Sequence, residues 1–336
     1  MARRRDPVEE ASDGSVDLYD VATWEERTSV DGLAVALYRL MVGSARGIIV
    51  LAAVGLLLLV GGFSAVTDPQ IGALTALSAI PALGLAAYVW HSDVTTSEPA
   101  TLLLATFLLG VLTANFAAVI NGVAKPYFEP LQFFGTVLFF LVIVGPVEES
   151  VKLLAVRLYA YRKEQFNTVV DGSVYGAMAG LGFAFIENAL YITQNLGASP
   201  LDPGTSLIGI GSGIVSIRAL AGPGHVIYSA FAGYYLGLAK FNRKHSGPIV
   251  VKGLLIAALI HATYNSTVGI GSGLVQLATG LPDIVAFFVY VLIFDGIFGL
   301  ILLRKIRRYN HAYREAHEDD ADGDERPLTS EMTEFE

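Results

Sequence analysis

Apolar runs of about 20 residues make up most of this chain, and they limit strongly what it can fold into. A run of this length crosses a bilayer as an α-helix, because in lipid the backbone polar groups must be hydrogen-bonded within the segment. Of the 336 residues, 53% are hydrophobic and only 16% are charged, whereas soluble domains carry about 25% charged residues. The pattern predicts an all-α, polytopic integral membrane protein of the cell membrane.

About eight transmembrane helices are predicted, separated by segments that contain proline, glycine or acidic residues. The predicted spans are residues 48–66, 71–90, 101–120, 131–158, 169–193, 214–239, 253–269 and 284–303. They are expected to form one membrane domain, residues 47–303. An acidic leader (1–46) and a basic-then-acidic tail (304–336) are expected to be flexible, because such compositions bury little apolar surface.

The basic residues predict how the spans are oriented. With the N-terminus in the cytoplasm, 19 of the 22 lysines and arginines fall on the cytoplasmic side. Lys125 falls outside, while Lys152 and Arg218 lie within the membrane. This asymmetry follows the positive-inside rule, so both termini are predicted to be cytoplasmic.

Composition also excludes several classes of function. The chain has no cysteine, which excludes disulfides, thiolate metal ligands and a cysteine nucleophile. Its net charge of −9 is the opposite of a nucleic-acid-binding footprint, so the lipid bilayer and other membrane proteins are the expected partners. Oligomeric state leaves no signature in the sequence.

Ionisable side chains are concentrated in spans 4 to 7, although a central charge costs roughly 2.5–3.5 kcal/mol there. Residues 131–270 are therefore predicted to hold the functional core. The ionisable residues concerned are Glu148, Glu149, Lys152, Glu187, Arg218, His225 and His261. The amide residue Asn265 follows His261 by one helical turn.

Span 4 contains two adjacent glutamates and a lysine. Lys152 follows Glu148 by four residues and Glu149 by three, so it can pair with either on the helix surface. A single ion pair that lets the helix insert is one interpretation. Because the second glutamate exceeds what neutralisation requires, we favour a general base with supporting groups, and we assign the proton transfer to Glu149.

Spans 5 to 7 each contribute one further candidate ligand. Glu187, His225 and His261 could hold Zn²⁺ through three ligands and leave a fourth position open for water. Each residue taken alone is also compatible with a packed, hydrogen-bonded side chain. Glu187 would reach the others only if span 4 kinks at Pro146 or span 5 enters the membrane after Asp171, and one of the two is expected.

Arg218 and Asn265 are the remaining polar candidates. Arg218 cannot lose its charge, so it should pair with a buried glutamate or stabilise the oxyanion of a tetrahedral intermediate. Asn265 lies on the same helix face as His261 and could hydrogen-bond the reacting water or carbonyl.

Together these groups favour peptide-bond hydrolysis inside the membrane by glutamate-activated water, with metal assistance or without it. The alternative is a proton- or cation-coupled transporter, which also uses intramembrane charged residues. Transporters often consist of two repeated halves, and spans 1–4 and 5–8 show no such repeat.

Four motifs occur in order on consecutive spans, within residues 145–266. They are Glu148-Glu149-x-x-Lys152, Phe183-x-x-x-Glu187, His225-x-x-x-Ser229 and His261-x-x-x-Asn265. This order resembles the PrsW family of intramembrane proteases, a branch of the CAAX protease and bacteriocin-processing group. In the wider group an arginine follows the double glutamate and a histidine ends the Phe-x-x-x motif, where this chain has Lys152 and Glu187.

The resemblance implies a glutamate-dependent membrane protease that acts on other membrane proteins. By motif position it places the double glutamate, Glu187, His225, His261 and Asn265 in the site. It leaves the involvement of a metal open.

Overall fold

The structure is a computed structural model, which describes residues 11, 15, 17–20, 22–59, 67–95, 98–198 and 213–322. The side chains of residues 195–198 and 317–322 are not included in the description. The chain divides into two compact units, Met1–Ala52 and Ala53–Glu336, and the second contains every residue of the predicted site.

The described residues are organised as helices without a β-strand, so the all-α prediction is confirmed. In chain order the helices are α1 (Ser29–Leu59), α2 (Pro69–His91), α3 (Ala100–Phe128), α4 (Gln132–Phe139), α5 (Gly145–Leu158), α6 (Val169–Ala198), α7 (Ile214–Phe241), α8 (Ser246–Thr279) and α9 (Asp283–Asp322). Short 3₁₀ turns occur at Glu129–Leu131, Ala160–Arg162 and Arg243–His245.

The fourth predicted span is interrupted in the middle. A π-helical segment, Phe140–Val144, joins α4 to α5 directly before Gly145 and Pro146. Proline has no N–H to donate, and a π-helical turn absorbs such a break in the hydrogen-bond ladder. The irregularity falls where a kink at Pro146 was expected.

Six helical stretches of the described chain are long and apolar enough to cross a membrane, which supports a multi-pass membrane protein. They are Ser29–Leu59, Pro69–His91, Ala100–Leu158, Val169–Gln194, Arg243–Thr279 and Asp283–Ala316. The longest contains predicted spans 3 and 4, and a hydrogen bond of 3.1 Å between Asn121 Nδ2 and Glu148 Oε1 joins its two halves. Helix α7 is not among the six; besides Arg218 and His225 it contains several glycines and tyrosines, which lower its mean hydropathy.

Helix extends into both terminal regions for which flexibility was predicted. Helix α1 begins at Ser29, well before the predicted span, because Thr28 and Asp31 cap it reciprocally. The Thr28 N–H donates to Asp31 Oδ2 at 2.7 Å, and the Asp31 N–H donates to Thr28 Oγ1 at 3.2 Å, which is a capping box. At the other end α9 continues to Asp322. Residues 1–10 and 323–336 lie outside the described part of the chain.

Helices α6 and α7 are the most extensively packed pair, and glycines permit their close approach. A Cβ added to Gly176 would lie 2.3 Å from the carbonyl oxygen of Ser229, and one added to Gly233 would lie 2.0 Å from that of Gly172. Small residues let helix backbones approach each other in membranes. The same pairing brings Glu187 of α6 beside His225 of α7.

We expect Gly176→Ala to destabilise the protein, because the new methyl group meets backbone rather than a movable side chain. Overpacking of this kind costs typically about 1–3 kcal/mol, so thermal unfolding in detergent should begin at a clearly lower temperature. Gly84→Ala on α2 is the matched control, since a Cβ there meets no atom within 4 Å. Equal unfolding temperatures for the two variants would contradict the packing argument.

The connections that were predicted to be cytoplasmic lie together at one end of the second unit. Thr95 Oγ1, between α2 and α3, is 3.3 Å from Thr168 Oγ1, which precedes α6. Lys240, near the end of α7, donates to the carbonyl oxygen of Tyr161 at 2.8 Å. Three predicted inner connections therefore share one side of the bundle.

Candidate active site

A cavity of about 850 Å³ lies among the helices α3 to α8. Its wall is made largely of apolar side chains, including Phe139, Phe183 and Ile186. Its polar lining includes Asn121, Glu148, Glu187, Arg218, His225, His261 and Asn265. The cavity thus gathers predicted site residues from four separate spans.

The two adjacent glutamates face different surroundings, as expected for side chains about 100° apart on a helix. Glu148 lines the cavity and is 4% exposed, whereas Glu149 is fully buried. Glu148 Oε1 accepts a hydrogen bond from Asn121, but Glu148 Oε2 is buried without a hydrogen-bond partner. Buried polar atoms are rarely left without a hydrogen bond, so this oxygen is the atom of the cavity that is available to bind a further group.

Glu149 is held by three donors, of which the Ser229 hydroxyl is the most distant, 3.5 Å from Oε2. The other oxygen, Oε1, accepts hydrogen bonds from Lys152 Nζ at 2.7 Å and from His261 Nδ1 at 2.9 Å. Lys152 itself is 1% exposed, and its ammonium lies 4.2 Å from the centre of the Phe183 ring. The ion pair neutralises both side chains inside the bundle, and its carboxylate fixes the orientation of His261.

The contacts of His261 determine which of its nitrogens faces the cavity. Because Nδ1 donates to Glu149, the other nitrogen, Nε2, carries the lone pair. Nε2 lies 3.7 Å from Glu148 Oε2. A carboxylate that orients a histidine through the far ring nitrogen is the usual arrangement behind a metal-binding imidazole.

His225 is engaged on both sides of its ring. Lys152 Nζ lies 2.9 Å from Nδ1, and an ammonium only donates, so Nδ1 is the acceptor. Nε2 then carries the hydrogen and donates to Glu187 Oε2 at 3.0 Å. The rings of His225 and His261 are 5.1 Å apart, nearly perpendicular.

Arg218 pairs with the partly buried carboxylate of Glu187, and pairing with a glutamate is one of the two roles predicted for it. Its Nη2 donates to Glu187, and its Nε donates to Asn188 Oδ1 at 2.8 Å. The guanidinium also lies over the Tyr191 ring, 4.3 Å from its centre. Arg218 and Glu187 thus form a second, partly buried ion pair at the edge of the cavity.

Three ligand atoms, one each from Glu148, His225 and His261, lie within 4.8 Å of one another. The predicted set had Glu187 in place of Glu148. Glu187 contacts His225 but is held by Arg218, so the geometry favours Glu148 as the carboxylate of the group. Asn265 lines the same cavity.

Two asparagines in the site were not predicted from the sequence. Asn121, which binds Glu148, directly follows the predicted end of span 3 and was placed in a loop. Asn188, which binds Arg218, is next to Glu187 in a motif where only the glutamate was considered. In both cases the available signal was an amide side chain inside or next to an apolar run.

Comparison with known proteins gives consistent results. Residues 98–297 match the family model described as PrsW family intramembrane metalloprotease. Protease PrsW of Halalkalibacterium halodurans is 30% identical over 189 residues, which cover 55% of this chain and 79% of that protein. Protease PrsW of Bacillus subtilis is 28% identical over 234 residues, covering 68% and 94% of the two chains. No solved structure matches the chain.

The matched residues include all four motifs and the ion pairs Glu149–Lys152 and Glu187–Arg218, and they make up more than half of the chain. The match favours the protease over the transporter among the two predicted functions. The chain belongs to the PrsW family of intramembrane proteases.

Proposed function

We propose that this protease hydrolyses peptide bonds in membrane-protein substrates with water activated by Glu148. The observation that carries the proposal is the buried Glu148 Oε2, which has no hydrogen-bond partner. It lies 3.7 Å from His261 Nε2 and 3.9 Å from Lys152 Nζ. Glu149 had been predicted to accept the proton. Its full burial and its contacts with Lys152 and His261 favour a positioning role instead.

The proton movements then follow from the contacts of the carboxylate. Glu148 accepts a proton from water, and the resulting hydroxide attacks the carbonyl carbon of the scissile peptide. Glu148 returns the proton to the amide nitrogen as the C–N bond breaks, so one carboxylate acts as base and then as acid. Asn121 steadies Glu148 through Oε1, which leaves Oε2 directed at the reacting water.

The same residues fit a divalent metal ion such as Zn²⁺, since imidazole nitrogen and carboxylate oxygen are ordinary zinc ligands. Glu148, His225 and His261 would hold it. When bound, the ion would lower the pKa of water and polarise the substrate carbonyl. To bind the ion, His225 would give up one of its present contacts, with Lys152 or with Glu187.

Metal analysis of the purified protein tests this fit. We expect about one zinc ion per chain in the parent protein and a much lower content in His261→Ala. His245→Ala is the control, because His245 lies in the 3₁₀ turn before α8, outside the group. If His261→Ala retained zinc at the parental level, His261 would not be a zinc ligand.

Asn265 is proposed to donate a hydrogen bond to the oxyanion that forms on the substrate. Removing one such donor costs about 10²–10³ in kcat, so Asn265→Ala should lower kcat by this factor and change KM little. Asn242→Ala is a suitable control, since this exposed asparagine follows α7, its side chain donates to the Leu238 carbonyl oxygen at 2.9 Å, and it is not among the residues that line the cavity. A change confined to KM would indicate that Asn265 only binds substrate.

Both termini are proposed to face the cytoplasm. The charge asymmetry supports this, as does the grouping of the connections after α2, α5 and α7 at one end of the bundle. Fluorescent-protein and alkaline-phosphatase fusions at the C-terminus would test it: fluorescence without phosphatase activity is expected, and the reverse would contradict the topology.

The function itself is best tested with reconstituted protein. The parent and the double variant His225→Ala/His261→Ala are incubated in liposomes with a set of single-span membrane proteins, and the products are mapped by mass spectrometry. We expect cleavage in or beside the substrate span for the parent only. Identical products from both proteins would show that the proposed residues do not catalyse the reaction.

A further inference from the structure

A second group of acidic side chains lies away from the catalytic cavity. Asp93 and Glu98 belong to the connection between α2 and α3, and Asp171 lies in the first turn of α6. One carboxylate oxygen from each lies within 4.8 Å of the other two. Asp171 precedes Glu187 by 16 residues on one helix, which corresponds to about 24 Å, so the two groups are independent.

Some oxygens of this group have ordinary structural partners. Asp171 caps α6: its Oδ2 accepts from the Thr168 N–H at 2.9 Å, and its Oδ1 accepts from the Thr168 hydroxyl. Asp93 Oδ1 accepts from the Thr95 N–H at 2.9 Å and from its hydroxyl at 2.6 Å. Both carboxylate oxygens of Asp171 and one of Asp93 therefore have hydrogen-bond donors.

The remaining oxygens are buried without a partner. Glu98 is only 3% exposed, and both of its carboxylate oxygens lack a hydrogen-bond donor, as does Asp93 Oδ2. Placing ions in a protein interior costs several kcal/mol each unless opposite charge compensates. Among the described residues no lysine or arginine forms an ion pair with these three carboxylates. The nearby Lys240 donates to backbone carbonyl oxygens instead, including those of Tyr161 and Phe166.

We propose that Asp93, Glu98 and Asp171 bind a hard divalent cation, Ca²⁺ or Mg²⁺, at the end of the bundle remote from catalysis. The donor set contains oxygen only, which such cations prefer, and a glutamate with both oxygens free can bind Ca²⁺ in bidentate fashion. The site joins the α2–α3 connection to the start of α6, so the bound ion would fasten three helices together. This inference goes beyond the proposed protease function.

Thermal unfolding of the full-length protein in detergent, after removal of metals with EDTA, tests the proposal. Added CaCl₂ or MgCl₂ should raise Tm saturably by about 5 °C or more when the cation is well above its Kd, relative to NaCl at equal ionic strength. Glu98→Gln should lose this response. Glu164→Gln, which changes an exposed carboxylate in the connection before α6, should keep it.

Further variants separate this site from the catalytic one. Glu148→Gln should keep the Ca²⁺ or Mg²⁺ response even though it lacks protease activity, so failure of either proposal is recognised separately. Asp93→Asn serves as a second test should Glu98→Gln fold poorly. The proposal is overturned if neither cation raises Tm saturably in the parent, or if Glu98→Gln and Asp93→Asn respond as the parent does.

Discussion

Glu148→Gln is expected to reduce substrate cleavage by about 10²–10⁴-fold, the contribution typical of a positioned general acid–base. Glutamine keeps the size of the side chain and can keep the contact with Asn121, but it cannot accept a proton from water. The loss should therefore appear in kcat, while thermal stability should stay near the parental value. The replaced oxygen is buried without a hydrogen-bond partner, and Lys152 Nζ, 3.9 Å away, keeps its closer contact with Glu149.

Glu129→Gln is the matched control for this prediction. Glu129 lines the same cavity but is exposed, so the same chemical change should leave cleavage within about twofold of the parent. Cleavage by Glu148→Gln at more than a tenth of the parental rate, in a properly inserted protein, would mean that another residue activates the water. Glu149 would then be the next candidate for the general base, and Glu149→Gln would be the variant that tests it.

The helical architecture could be predicted from the sequence because length and apolarity alone determine a membrane span. Spans 3 and 4 were recognised as separate through the proline residues between them, and the structure has a 3₁₀ turn at Glu129–Leu131. The start of α1 was missed, because its cap uses Thr28 and Asp31 within a stretch whose acidic composition suggested a flexible leader.

The clustering of the site residues could also be predicted, since several costly charges in adjacent spans need one another. Their individual roles could not. Glu148 and Glu149 are adjacent and point about 100° apart on the helix, so the rotation of α5 about its axis decides which of them faces the cavity. The apolar pattern of the sequence does not define that rotation. Likewise, which side chain pairs with Glu187 depends on how α6 and α7 pack. That packing is set by close backbone contacts at Gly176 and Gly233, which the sequence pattern does not define.

Breaking the buried ion pair between Glu149 and Lys152 is expected to have a large effect on stability. Lys152→Met should lower the free energy of unfolding by about 3–5 kcal/mol, because it leaves a fully buried carboxylate without its cation. Replacing both partners, Glu149→Gln with Lys152→Met, removes the uncompensated charge and should restore most of the lost stability. Denaturant or thermal unfolding in detergent measures both changes.

The double variant also separates folding from catalysis. Without the Glu149 carboxylate, the His261 imidazole loses the anion that orients it, so the stable double variant should remain at least tenfold less active than the parent. Lys125→Met, at the exposed mouth of the cavity, should change neither property. A double variant as unstable as Lys152→Met would argue that the lysine acts mainly through His225 and Phe183, whose contacts with it at 2.9 Å and 4.2 Å are lost in both proteins.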